Sequence, residues 1–163
     1  MPDTISIFWF RRDLRLHDNR GLAAALRAGH PVLPVFIFDP VILNELEAED
    51  ARVPFIYSAL ERMQQDLVAA GSSLRVFYAS PEAAFAELLA TYRVAAVYTN
   101  HDYEPYALRR DAAIGALLLQ QGIAFHSFKD QVLFEKVEVV KDDGKPYQVY
   151  TPYWKKWRSL LRP

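Results

Sequence analysis

Five short apolar runs, each followed or preceded by a helical pattern, constrain the fold of this chain more than any other feature. Ile5–Phe10, Val32–Phe38, Leu74–Tyr78, Ala95–Thr99 and Ala124–Phe128 supply them. The first two are apolar at consecutive positions rather than alternate ones. That is the pattern of strands covered on both faces in a parallel sheet. The stretches between carry helical punctuation. Asp18 or Asn19 caps a helix through Ala28, and Gly29 stops it. From Pro54 to Ala70, the residues Ile56, Leu60, Met63 and Leu67 form one stripe, closed by Gly71. Ser80-Pro81 opens a helix to Tyr92 that turns Phe85, Leu88 and Leu89 inward. Another runs from Tyr106 to Gln121 with Ile114, Leu117 and Leu118 inward and Gly122 as its stop. Val41 to Asp50 has weak periodicity and reads as a loop with room for a short helix.

This alternation predicts an α/β domain over residues 1–130: a doubly wound, five-stranded parallel sheet with helices on both faces, Rossmann-like in type. After Phe128 the alternation ends. Val132 to Tyr150 reads as extended chain around the turn Asp142-Asp143-Gly144-Lys145, and Thr151-Pro152 as the cap of a helix over Tyr153–Leu161. Residues 131–163 therefore read as the start of a linker toward a further domain.

Composition narrows the function classes. With 163 residues and 52% hydrophobic content, the chain has material for one core. Lys and Arg total 19 against 20 acids, so the basic excess of a domain that holds nucleic acid by itself is absent. The chain has no cysteine, which excludes disulfides, thiolate zinc sites and a cysteine nucleophile. The start, MPDTISIFWFRRD, does not have the form of a secretory leader, and no stretch is long and uncharged enough to span a bilayer. We expect a cytoplasmic protein with no membrane partner.

In an open α/β sheet, ligands sit beyond the carboxyl ends of the strands. The first such turn, Arg11 to Asn19, has neither G-x-G-x-x-G nor a Walker pattern. It is charged instead. One reading has Asp13 and Asp18 pairing with Arg11 and Arg15 to fix the turn; the other has an arginine facing an anionic ligand or a partner domain. The fourth turn carries His101, Asp102 and Glu104, an incomplete metal shell, and we assign no metal. Asp102 and Glu104, two apart, point the same way on extended chain and suit a planar heterocycle with N–H or hydroxyl donors. Near the end, Trp154 and Trp157 are i,i+3 neighbours among Lys155, Lys156, Arg158 and Arg162, a pattern for docking against a following domain.

Four segments together resemble one family. Trp9-Phe10-Arg11-Arg12-Asp13-Leu14-Arg15-Leu16-His17-Asp18-Asn19 is similar to the N-terminal signature of DNA photolyases and cryptochromes. Phe36-Ile37-Phe38-Asp39-Pro40 resembles the family's second strand, and Asn100-His101-Asp102-Tyr103-Glu104-Pro105-Tyr106 with Arg110-Asp111 its fourth-strand motif. Tyr147-Gln148-Val149-Tyr150-Thr151-Pro152-Tyr153 with Trp157 resembles the lead into the helical domain.

The resemblance implies the N-terminal antenna domain of a deoxyribodipyrimidine photolyase, a lyase that splits cyclobutane pyrimidine dimers in damaged DNA using light and FAD. The FAD and DNA sites would belong to a C-terminal helical domain that this chain does not include, so catalytic residues are none here and the chain alone is expected to be inactive. The alternatives are the same domain of a cryptochrome photoreceptor, or a stand-alone small-ligand or nucleotide-binding domain. By resemblance, a light-harvesting chromophore would be held by Phe36, Phe38, Asp39, Arg52, Asp102 and Glu104. A deazaflavin or FMN is expected rather than folate, because Tyr106 and Ala107 stand where folate-type members tend to carry Asn-Glu.

Overall fold

The computed structural model describes residues 4–161, and its strands follow the runs that the sequence marks. In chain order they are β1 (Ile5–Phe10), β2 (Val32–Phe38), β3 (Arg75–Tyr78), β4 (Val94–Asn100) and β5 (Ala124–Phe128). All pair in parallel, in the order β3-β2-β1-β4-β5. The helices are α1 (Arg20–Arg27), α2 (Pro40–Leu43), α3 (Arg52–Ala69), α4 (Pro81–Thr91), α5 (Pro105–Gln120) and α6 (Tyr150–Leu160).

The alternation of side chains along each strand divides the core into two layers. Ile7 and Trp9 of β1 join Val35, Ile37 and Val97 under Phe85 and Leu88 of α4 and Ile114 and Leu118 of α5. Phe8 and Phe10 face the other way and join Phe36 and Tyr98 under Leu22 of α1 and Leu60 and Met63 of α3. Each fully buried side chain of this size contributes about 1.5–3 kcal/mol over its exposed state. Because the layers share β1, one strand's sequence anchors both.

Helix starts obey local chemistry. Asn19, not Asp18, caps α1 by accepting from Leu22 N at 3.0 Å, while Asp18 takes a left-handed φ of 49°. Ser80 caps α4, accepting from Ala83 N at 3.2 Å, with Pro81 first in the helix. The short helix expected within Val41–Asp50 is α2, capped by Asp39. Helix α3 starts at Arg52 rather than Pro54, since a proline is tolerated within the first turn.

The chain divides into two compact units, one ending at Asp130 and one beginning at Gln131. In the second, residues 132–149 form turns and bends without a strand ladder. Its hairpin-like turn is closed by Lys141 N donating to Lys145 O at 2.9 Å, with Gly144 at φ 78°. Helix α6 begins at Tyr150, three residues before the expected start. Thr151 and Pro152 lie inside its first turn, Val149 stands at the cap, and no side chain caps the helix. The Thr-Pro pair was therefore misread as a cap: proline fits at several positions of a first turn, where its missing N–H costs nothing.

Candidate functional site

Strand order reverses between β1 and β4, so the turns after these strands meet at the carboxyl edge of the sheet. What they build first is a buried polar knot. Asn100 ends β4, and its Nδ2 donates to Asp13 Oδ2 at 2.6 Å and to Asn19 Oδ1 at 2.9 Å. Its Oδ1 accepts from Gly21 N at 2.9 Å. Asp13 Oδ1 accepts from Arg11 N at 2.9 Å. Asp13, Asn19 and Asn100 are all buried, and each lone pair spent here fixes the path of the first turn. Gly21 must lack a side chain: a Cβ there would meet Asn100 Oδ1 at 2.6 Å and Phe8 Cε2 at 2.9 Å.

Among the described residues, no arginine of that turn forms an ion pair with the Asp13 or Asp18 carboxylate. Arg11 pairs with Asp111 of α5 and also donates to the Asn100 carbonyl. Arg15 pairs with Asp130 at 2.6 Å and donates to the backbone carbonyl of Asp18 at 2.7 Å. Burial lowers the pKa of Arg11, and nearby Asp111 opposes that shift. Arg11 and Arg110 both lie against the Trp9 ring, at 5.1 and 4.9 Å from its centroid. Asp111 and Asp130 are thus the acceptors that the sequence reading missed. Arg110-Asp111 stood in the fourth-strand motif, and no local signal marked either acid as a partner of the first turn.

Five of the six residues assigned to a chromophore fall in two groups. Asp102 is buried between Arg12 Nε at 3.9 Å and Arg110 Nη2 at 4.0 Å. Glu104 accepts from Arg12 Nη2 at 3.4 Å, and Arg12 and Glu104 are each 58% exposed. The two carboxylates therefore share Arg12 but not an environment, because Glu104 takes the cap position of α5. Across β1, Phe36 is buried and meets Phe38 edge-to-face at 4.9 Å. Asp39 is buried; Oδ1 accepts from Val41 N at 3.0 Å, and Oδ2 accepts from the Tyr106 hydroxyl. Burial, and then Asp39, push the Tyr106 hydroxyl up to about 12. Arg52 lies apart from both groups in its contacts. It is exposed at the start of α3 and grips Asp50 through Nε at 2.9 Å and Nη2 at 2.6 Å, which holds the Asp50 carboxyl at about 2.

Chemically, the set fits a planar heterocycle with N–H or hydroxyl donors: carboxylate acceptors, aromatic faces, and arginine counter-charges. A hollow of about 380 Å³ lies beside α3, between Phe38, Tyr57, Leu60, Leu74 and Val76, with Glu61 and Gln64 at its polar side. Among the described residues no group of three or more His, Asp or Glu side chains is placed to hold a metal ion. Among the described residues no helix is long and apolar enough to cross a membrane.

In the second unit, Trp157 is half-buried with its ring edge-to-face with Phe134 at 5.7 Å. Trp154 is exposed under the Arg158 guanidinium at 5.2 Å. Arg162 lies outside the described residues.

Comparison with known proteins gives this arrangement a family. The model of the DNA photolyase family matches residues 6–163. A deoxyribodipyrimidine photo-lyase of Synechococcus sp. is 38% identical over 96% of this chain and 32% of its own length. The crystal structure of a class III photolyase from Agrobacterium tumefaciens superposes with a TM-score of 0.87 at 29% identity, over 100% of this chain and 33% of that one. An archaeal photolyase from Sulfolobus tokodaii, described with two FAD molecules and a novel light-harvesting cofactor, gives 0.78 at 30% identity over 98% of this chain and 36% of that one. Relatives named cryptochromes match as well. The chain spans about a third of the length of these three photolyases.

Proposed function

Because the chain belongs to the DNA photolyase family, we propose that it is the light-harvesting domain of a deoxyribodipyrimidine photolyase. In the whole protein it would work beside a helical domain holding catalytic FAD and damaged DNA. The observation that carries this reading is the crevice at the β1/β4 reversal, where Asp102 and Glu104 flank Arg12 and Phe36, Phe38 and Asp39 stand across β1. A deazaflavin or flavin bound there would supply absorption of light and pass the excitation to the catalytic flavin. Asp102 and Glu104 accept from its ring or side-chain donors. Phe36 and Phe38 cover an apolar face and exclude water, and the Asp39 turn fixes the depth of entry. Arg52 would leave Asp50 to meet a negatively charged group on the ligand. The light-harvesting cofactor described for the Sulfolobus tokodaii photolyase supports this reading.

Absorption and fluorescence titration of the chain with FMN, a deazaflavin and a reduced folate tests it. Saturable binding of a flavin-type ring, weakened by Asp102→Ala or Glu104→Ala, is the expected result. Failure of all three to bind would overturn the chromophore assignment. The cryptochrome relatives support a second reading, a photoreceptor domain, and light-dependent dimer repair by the whole protein separates the two. We further propose that Trp154 and Trp157 dock the helical domain, and that the chain by itself leaves pyrimidine dimers intact under illumination.

A further inference from the structure

The hydrogen bond from Tyr106 to Asp39 joins the two sides of the crevice. Asp39 follows β2, Tyr106 opens α5, and β1 lies between β2 and β4 in the sheet. Asp39 is 5% exposed. Its partners are neutral, one backbone amide and one phenol, and no cation pairs with it among the described residues. A carboxylate has about four acceptor sites, so this one keeps unused capacity in a place where charge-assisted hydrogen bonds are strong. The Tyr106 ring has a second support, the Arg110 guanidinium 5.9 Å from its centroid, and so does not depend on Asp39 for its position.

We infer that Tyr106 is a specificity-determining gate of the crevice: its hydroxyl occupies a buried acceptor, Asp39, that the ring N–H or a ribityl hydroxyl of a flavin-type ligand would otherwise take. The inference rests on the chromophore reading above. With the gate in place, ligands are admitted whose donors are satisfied at Asp102 and Glu104, or which displace the phenol. A mere strut makes the opposite prediction, since removing it loosens the crevice and weakens binding.

The test is FMN titration of the 163-residue chain by fluorescence quenching, with urea unfolding to establish that each variant is folded. Tyr106→Phe keeps the ring over Arg110 and removes only the hydroxyl. Freeing a charged acceptor in this way should tighten FMN binding about tenfold. Tyr106→Leu should shift affinity in the same direction through an unrelated side chain. Asp39→Asn preserves the cap on Val41 N and should abolish the gain, so that the double variant binds like Asp39→Asn alone. Binding by Tyr106→Phe where the unaltered chain binds nothing also supports the gate. Unchanged or weaker FMN binding by Tyr106→Phe, or a gain that survives Asp39→Asn, overturns the gate and leaves the chromophore reading standing. No FMN binding by either form overturns the gate, and the chromophore reading falls with it only if the deazaflavin and the reduced folate fail to bind as well.

Discussion

The two margins of the crevice are built on different principles. At the β1/β4 reversal, position is set by buried polar contacts: Asn100 alone joins Asp13, Asn19 and Gly21. On the β2 and β3 side, the buried Asp39 apart, contacts are mostly apolar and open. Phe55, Tyr57, Val76 and Tyr78 are exposed there, and the charged pair, Asp50 with Arg52, lies at the surface. Directional bonds with one satisfactory geometry give a rigid margin, and non-directional contacts give one that adapts. A site that must hold a ring in one orientation, yet admit it, benefits from one of each.

The sharpest way to break this contrast is Asn100→Asp, which conserves shape and sets a second carboxylate 2.6 Å from Asp13. An uncompensated buried charge should cost about 4 kcal/mol by urea unfolding, with partial recovery in acid as one carboxyl takes a proton. Next is Arg11→Met, which takes one of two arginines from Asp111, Arg110 remaining at 3.0 Å, and removes the donor to the Asn100 carbonyl; it should cost about 2.5 kcal/mol. Gly21→Ala should cost about 2 kcal/mol, because its Cβ is hemmed in by Thr99 O at 3.1 Å as well as by Asn100 and Phe8.

The Tyr106 hydroxyl gives a smaller effect, read against pH. Folding raises its pKa from 10.0 to about 12, so the folded state holds this proton more tightly than the unfolded chain does. Its contribution is complete below pH 10.0 and is lost as pH rises toward about 12, and Tyr106→Phe should flatten that part of the stability profile. Smallest is Asp50→Ala on the adaptable side. An exposed pair contributes little, and the unfolding midpoint should shift by the equivalent of less than about 0.5 kcal/mol. A loss there matching that of Arg11→Met would erase the contrast.

The strands were legible because each is a short apolar run bounded by turn residues, and four of the helices because Gly or Ser-Pro punctuates them. The start of α6 was not, because Thr151-Pro152 satisfies the statistics of a cap and of a first turn equally well. The site was legible as a set of turns and illegible as a set of bonds. Arg11 finds its partner 100 residues away and Arg15 finds its partner 115 away, whereas Asp13 and Asp18 stood beside them in the sequence. Proximity in the chain favoured the wrong acids. Asp13 was already committed to amides, and Asp18 has a left-handed backbone that caps nothing. The gate was invisible for the same reason: nothing local ties Tyr106 to a carboxylate 67 positions earlier.

Trp9, 2% exposed with two guanidinium groups against its ring, has a consequence for how this protein can be watched. Of three tryptophans it alone belongs to the unit ending at Asp130, while Trp154 and Trp157 lie in the other. Iodide in solution will dim the exposed Trp154 and leave Trp9 bright. The emission that survives the quencher is therefore weighted toward the α/β unit and the emission it removes toward residues 131–163, with the half-buried Trp157 between the two.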